Sequence, residues 1–437
     1  VVGVHAFQDI DLEAAFEAVA AFSETVHLTS DHALLMTQAI KTAILERGVG
    51  HLVFPDNVQP KPASKGAKAY GPAGRMADLG VGPPPAALSE ASTLLKGAKR
   101  PMIIVGYGAL NGMESVIALA ETLGAPIATT FKAKGQIGDD HPLAAGVMGR
   151  SGTPIASWFM NEADLLLVLG ASFSDHTGIY EGAPTIQVDT DPMRLAKRHP
   201  VTVPVMGDVA VTADLLKTAV ADGAHALDQR GEVAERWRLW RAEKDNRVGE
   251  DRGKGVSAAA LFEALTKHAP ADAILPVDVG NNTYSFGRYF EPTGQQRVLM
   301  SGYLGSIGFS FPAAMGAWAA TQEEGPYKGR KVISVSGDGG FGQYAMEFTT
   351  AVKYGMNITH ILMNNSELGK ITKEQKAAEF EVWQTSLVNP SFAGFARSCG
   401  GMGERVKTRD QLDGALAKAI AYNGPSLVEV MTDAELL

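Results

Sequence analysis

Gly337-Asp338-Gly339-Gly340-Phe341, followed by Asn364-Asn365, decides how this chain is read. The β-forming run Lys331-Val332-Ile333-Ser334-Val335-Ser336 leads into the first stretch, and Ile358-Thr359-His360-Ile361-Leu362-Met363 leads into the second. Between them, Gln343 to Tyr354 predicts a helix. Strand, helix and strand make one βαβ unit, so Asp338 and Asn365, 27 residues apart, both fall at strand C-termini. Ligands of open α/β sheets bind at that edge. A carboxylate oxygen, an amide oxygen and adjacent glycines form a hard-cation site with room for phosphate, which is what Mg²⁺ takes. Gly-Asp-Gly alone is an ordinary βα turn. The second motif at this spacing, each behind an apolar strand, gives the pair its weight.

At 437 residues the chain should hold about three domains, at roughly 150 residues each. No apolar run reaches the ~18 residues of a membrane span. A net charge of −9 without a basic run excludes nucleic acid as an expected partner. The single cysteine, Cys399, excludes an intrachain disulfide, and no Cys/His cluster suggests zinc. These features fit a reducing cytoplasm. The chain opens on Val1-Val2-Gly3 with no signal-peptide pattern, and reads as the interior of something longer.

Residues 11–23 predict a helix. So do Asp31 to Arg47, with Ser30 as cap, an apolar stripe through Leu34, Leu35, Ala39, Ile40, Ile44 and Leu45, and Gly48 as stop. His51-Leu52-Val53-Phe54 is a short strand, so residues 1–60 read as helix–helix–strand, the tail of an α/β domain. Pro, Gly, Ala and Lys without periodicity make 61–85 a linker. Residues 86–222 form a second α/β unit with strands at Met102–Val105, Ile127–Thr130, Leu165–Leu169 and Thr185–Val188. The charged stretch 223–255 is a further linker with one helix, Glu232 to Asn246, whose Trp237 and Trp240 should pack on a domain. Residues 256–437 form the third α/β domain, from Ile274-Leu275-Pro276-Val277 to Ser426–Met431. The expected fold is α/β, with three doubly wound parallel-sheet domains, the first incomplete.

Taken together, these motifs resemble the thiamine-diphosphate-dependent enzymes, in the branch that holds pyruvate oxidase and acetohydroxyacid synthase, and resemble pyruvate oxidase most. That resemblance implies a pyrimidine-binding, a central (often flavin-binding) and a diphosphate-binding domain, in that order. It implies the side chains of Asp338 and Asn365 and the main-chain carbonyl of Glu367 as ligands of Mg²⁺. Backbone N–H groups of Gly339 and Gly340 would face the diphosphate at a helix start, where the dipole favours anions. Gly280, Asn281 and Asn282 belong to the loop that contacts the diphosphate. Backbone groups of Gly305 and Ile307 would hold the aminopyrimidine, with Ile307 as the wedge that bends the cofactor; a core isoleucine is compatible with the same position. Phe7-Gln8-Asp9 resembles the Phe-Gln-Glu that the family places over the cofactor, where Gln8 would hydrogen-bond substrate or intermediate.

Gly369-Lys370-Ile371-Thr372-Lys373-Glu374 bears on the subfamily. Synthases have Gly-Met-Val and a Trp-bearing segment here, while pyruvate oxidases carry a carboxylate five after the glycine, where Glu374 sits. Ile371 and Glu374 are thus candidate catalytic-site residues, Glu374 as general acid or base. The other reading of Glu374 is a solvated helix residue between Lys373 and Lys376. In the central domain Gly106, Gly108, Ala109, Thr129, Gly149, Gly170, Ala171, Ser172, Asp189 and Asp208 match strand ends that contact FAD in flavin-bearing relatives. Ser172 and His176 stand where synthases place arginines, which weighs against a synthase and also weakens the flavin assignment.

The implied activity is thiamine-diphosphate- and Mg²⁺-dependent decarboxylation of a 2-oxoacid, with pyruvate as the family default, and oxidation of the intermediate. The alternatives are an acetolactate synthase-type carboligase, or an inactive cofactor-binding fragment, because no glutamate precedes Phe7 to match the one that activates the family's pyrimidine. Expected partners are a small-molecule 2-oxoacid and the protein itself, as homodimer or homotetramer, with no nucleic acid and no membrane span.

Overall fold

Short apolar runs become strands where helices cover both faces of a parallel sheet and shield the backbone from water. The computed structural model describes residues 7, 10–63, 71, 73–174, 176–178 and 180–436. They fall into two compact units, divided between Leu79 and Gly80.

The first unit is helix–strand–helix–strand, not helix–helix–strand. Its first helix is Leu12–Glu17, capped by Asp11. The helix predicted to run on to residue 23 gives way to strand β1, Phe22–Thr25. The second helix, His32–Leu45, is capped by Asp31, whose carboxylate takes the N–H of Leu34. Ser30, the expected cap, instead accepts from the His27 N–H. Strand β2, Gly50–Val53, pairs with β1 in parallel. Ala39 and Thr42 are buried, but Leu34, Ile40, Ile44 and Leu45 stay exposed, so most of the predicted apolar stripe is not covered.

The second unit holds two six-stranded parallel sheets. The central sheet comprises β3 (Pro101–Val105), β4 (Ile127–Thr129), β5 (Ala144–Val147), β6 (Leu165–Leu169), β7 (Thr185–Asp189) and β8 (Val203–Met206). Their spatial order is β5-β4-β3-β6-β7-β8. The chain reverses direction across the sheet between β3 and β6, the position where dinucleotide-binding sheets open a crevice. Two of these strands were not predicted. Ala144-Ala145-Gly146-Val147 lacks bulky β-formers, and Pro204 makes β8 an edge strand with alternating burial.

The C-terminal sheet comprises β9 (Ile274–Pro276), β10 (Arg297–Leu299), β11 (Val332–Gly337), β12 (Ile358–Asn364), β13 (Met402–Val406) and β14 (Ser426–Met431). Its order is β10-β9-β11-β12-β14-β13, so the reversal lies between β9 and β11. β11 and β12 run in register from Val332–Ile358 to Gly337–Met363. The helix expected at Gln343–Tyr354 is two helices, Asp338–Tyr344 and Glu347–Lys353. The first starts directly off β11. Three glycines at 339, 340 and 342 weaken it by propensity, and at Gly339 and Gly340 the side chains of Leu368 and Asp278 pack where a Cβ would stand.

The helix Arg230–Gly249 lies between the sheets in sequence; in space it packs on β5 and on the helices Pro154–Glu162 and Ala258–His268. Trp237 and Trp240 are buried, and the Trp237 Nε1–H donates to the Ala144 carbonyl at 2.7 Å. Its buried Lys244 pairs with Glu263 at 2.5 Å and Glu291 at 2.9 Å. No helix among the described residues is long and apolar enough to cross a membrane.

Candidate active site at the C-terminal edge of the last sheet

The reversal between β9 and β11 places Asp278 and Asp338, each just past a strand end, on one edge. Asp338 is the first residue of its helix, after an extended Gly337. It is buried, and its Oδ2 accepts from the Ser366 N–H and from Asn389 Nδ2, both at 2.7 Å. Burial pushes the Asp338 carboxyl above its usual range; the donors from Asn389, Gly339 and Ser366 oppose that rise.

Beyond β12 the chain turns sharply. Ser366 has φ +59°, left-handed for a residue with a side chain. The turn is pinned on both sides. Asn364 Oδ1 accepts from Ser366 N at 3.2 Å and Asn389 Nδ2 at 3.0 Å, while Asn364 Nδ2 donates to the buried Glu429 at 2.8 Å. Asn365 Oδ1 accepts from the Glu367 N–H at 3.3 Å. Gly369 lies among the side chains of three candidate residues. A Cβ there would stand 2.6 Å from Asn281 Nδ2, 3.0 Å from Glu367 Oε1 and 3.3 Å from Asn365 Nδ2. The turns after β9 and β12 therefore converge.

Asn281 opens the helix Asn281–Tyr289 behind Gly280, whose φ of +138° suits glycine. Its Nδ2 is buried and has no hydrogen-bonding partner in the protein, among the described residues. Asn282 is used differently: its Nδ2 donates to the Asp278 carbonyl at 2.8 Å, so it shapes the loop. Gly305 and Gly308 take left-handed φ values of +64° and +89°, and Ile307 between them is 37% exposed. Gly339 is close-packed, since a Cβ would meet Leu368 at 2.6 Å.

Ile371 is exposed on the helix Gly369–Ala377. Glu374, on the same helix, pairs with Lys370, and more than half of its side chain is exposed. Phe7 belongs to the first unit and is exposed, and Gln8 lies outside the described residues. The central-sheet candidates all fall on one edge: Gly106, Gly108 and Ala109 after β3, Thr129 at β4, Gly149 after β5, Gly170, Ala171 and Ser172 after β6, Asp189 at β7 and Asp208 after β8. The β3 and β6 loops are closed on each other, for the Gly108 N–H donates to the Gly170 carbonyl at 2.9 Å. Asp208 caps the helix Val209–Val220.

Three residues of the C-terminal edge escaped the sequence reading. Asp278 stands directly before the quoted Val279-Gly280, and a carboxylate at a strand end was a readable signal. Glu429 is a lone charge in an apolar strand, which demands a partner. Asn389 sits in Asn389-Pro390, a turn signal that says nothing of where its amide points.

Hard oxygen donors, close-packed glycines at a helix start and an exposed apolar side chain beside them suit a metal-bound phosphate with an organic body. The comparisons agree with that class. Residues 88–216 match "Thiamine pyrophosphate enzyme, central domain", and residues 278–430 match "Thiamine pyrophosphate enzyme, C-terminal TPP binding domain". A Bacillus subtilis protein, YdaP, named as thiamine pyrophosphate-containing, is 33% identical over 435 residues, covering 98% of this chain and 73% of its own. The probable acetolactate synthase large subunit of Methanocaldococcus jannaschii is 28% identical over 465 residues, covering 99% of this chain and 75% of its own. The acetolactate synthase isozyme 2 large subunit of Escherichia coli is 28% identical over 445 residues, covering 99% and 77%. The chain belongs to the thiamine-pyrophosphate-dependent enzymes and carries their cofactor-binding domain; relatives at 28% identity include acetolactate synthase large subunits.

The residues present fit the cofactor this family uses. Asn281 has an unpartnered buried amide nitrogen, and the carboxylate and amide oxygens of Asp338 and Asn365 are of the type a hard cation would take.

Proposed function

We propose that the protein joins two 2-oxoacid molecules with loss of one CO₂, using thiamine diphosphate and Mg²⁺, with pyruvate as the substrate to test first. The observation that carries this is the relatedness across nearly the whole chain to acetolactate synthase large subunits, together with the converging turns after β9, β11 and β12. Asp338, Asn365 and the Glu367 carbonyl would hold the metal. Gly339 and Gly340 would offer N–H groups to the diphosphate, with Asn281 beside them. Gly305 and Ile307 would seat the aminopyrimidine, and Ile371 would wall the reacting centre. When bound, thiamine diphosphate supplies a nucleophilic carbon and an electron sink for the pair left as CO₂ departs. Glu374, on its helix beside that wall, would exchange protons with the substrate oxygen.

A second reading is oxidation of the decarboxylated product by a flavin. It is favoured by Glu374 five residues after Gly369 and by Ser172 and His176 in place of arginines. The flavin would lie along the central edge from Gly106 to Asp208, and purified protein would then be yellow. Two assays with pyruvate, Mg²⁺ and thiamine diphosphate separate the readings. Acetolactate without dye reduction supports joining; dye reduction without acetolactate supports oxidation; neither product, with cofactor bound, leaves a cofactor-binding chain without turnover. We further propose that the protein self-associates through the apolar surface beside the site.

A further inference from the structure

We propose that Asp278 is a positioning residue which aims the Ile307–Gly308 peptide at the organic half of the cofactor, without itself touching the diphosphate. This rests on the reading above.

Asp278 is almost wholly buried, one residue past the point where Val277 bridges Val335 on β11. Its Oδ1 accepts the Gly308 N–H at 2.8 Å and its own neighbour's, Val279, at 2.7 Å. Its Oδ2 accepts the Ser310 hydroxyl at 3.2 Å. Ser310 opens the thirteen-residue helix Ser310–Gln322, so the carboxylate also sits where a helix start favours negative charge. The Asp278 main chain is used as well, its carbonyl accepting from Asn282 Nδ2 and the Thr283 hydroxyl. On the far side, a Cβ on Gly340 would lie 2.7 Å from Asp278 Oδ2. One side chain thus touches the loop after β9, the 305–310 segment and the turn that begins at Asp338.

The consequence for Ile307 follows from peptide geometry. In a trans peptide the N–H and C=O of one plane point in opposite directions. Locking the Gly308 N–H onto Asp278 turns the Ile307 carbonyl the other way, away from the carboxylate. The left-handed φ at Gly308 lets the chain leave that plane into the helix. None of these bonds involves Asp338, Asn365 or Glu367, so the metal side stands apart from the Asp278 clamp, while the loop after β9 is held mainly through the Asp278 main chain.

The experiment compares two probes by calorimetry, each with Mg²⁺: thiamine diphosphate and inorganic pyrophosphate. Wild-type protein should prefer thiamine diphosphate. In Asp278→Ala that preference should fall roughly tenfold, the scale of losing a charge-assisted hydrogen bond, with pyrophosphate affinity falling much less. Asp278→Asn keeps the shape and one acceptor oxygen, so it should fall between the two; it also carries the test if the alanine variant does not fold. Equal losses for both probes, or an undiminished preference in both variants, would overturn the proposal. A wild-type protein that does not prefer thiamine diphosphate over pyrophosphate would instead defeat the functional reading, and this inference with it.

Discussion

The Asn389 amide donates to the Asp338 carboxylate at 2.7 Å, across 51 residues of sequence. The same nitrogen reaches Asn364 Oδ1 at 3.0 Å, and Asn364 in turn is held by the buried Glu429. Partners of this kind orient a metal-binding carboxylate, and their loss typically costs about 10–100-fold in metal affinity. Asn389→Ala should weaken Mg²⁺-dependent thiamine diphosphate binding by that order. A titration showing wild-type affinity would mean the amide only packs the loop.

Asp338→Ala should go further. It removes the anionic donor of the proposed metal site and frees the Ser366 N–H and Asn389 amide that now satisfy it. Thiamine diphosphate affinity should then no longer respond to added Mg²⁺. A magnesium response equal to wild type would remove Asp338 from the site.

Strand ends were the legible part of this molecule. Gly337-Asp338 and Asn364-Asn365 follow apolar runs long enough to read as buried strands, and the structure puts both on one sheet edge. Strands β5 and β10 were not legible, because Ala-Ala-Gly-Val and a three-residue Arg-Val-Leu carry little local preference and owe their form to neighbours. The helix start at Gly339 and Gly340 was expected, but the helical periodicity begins only at Gln343, so the separate short helix Asp338–Tyr344 was not resolved from the one that follows. The contacts of Asn389 and Asp278 are long-range, and no local pattern encodes where an amide or carboxylate will point.

His360 offers a pH-dependent readout of the core beneath the site. It is fully buried on β12, with Nδ1 2.7 Å from the Ser334 hydroxyl and Nε2 2.9 Å from that of Ser336. Burial pulls its pKa from 6.5 down to about 3. Between those values the unfolded chain carries a proton that the folded chain does not, so this group makes stability rise with pH. The slope is up to about 1.4 kcal/mol per pH unit, and the effect is absent above pH 6.5. Urea midpoints should therefore fall on acidification below pH 6.5 more steeply for wild type than for His360→Asn. Parallel curves for the two proteins would show that His360 does not carry this dependence.

Glu374 tests whether an exposed carboxylate can be chemically important. Its pairing with Lys370 spans one helical turn at the surface, and such pairs contribute little to stability. Glu374→Gln should leave the melting temperature nearly unchanged. If turnover is measurable, it should drop by roughly 100-fold, the lower range for loss of a positioned acid or base. Full activity in the variant would make Glu374 a surface ion-pair partner and no more.

The surface beside the site should draw two copies together. Tyr303 is 94% and Leu304 81% exposed on the segment that carries Ile307, and Phe380, Trp383 and Val388 are exposed on the loop after the Glu374 helix. Apolar surface of this extent usually marks an interface. Trp383 is also held in place, for Gln375 bonds both its N–H and its carbonyl at 3.1 Å, so little further ordering is needed to bury the indole. Aromatic residues presented in this way are the usual energetic centres of interfaces, costing about 2 kcal/mol or more when removed. Closed two-fold assemblies are the commonest outcome of self-association. Sedimentation at micromolar concentration, with thiamine diphosphate and Mg²⁺ present, should give a mass of at least two chains. Trp383→Ser should shift that equilibrium toward single chains by tenfold or more on the same scale. A single-chain mass for wild type would defeat the prediction, and an unshifted equilibrium in the variant would move the interface away from this loop.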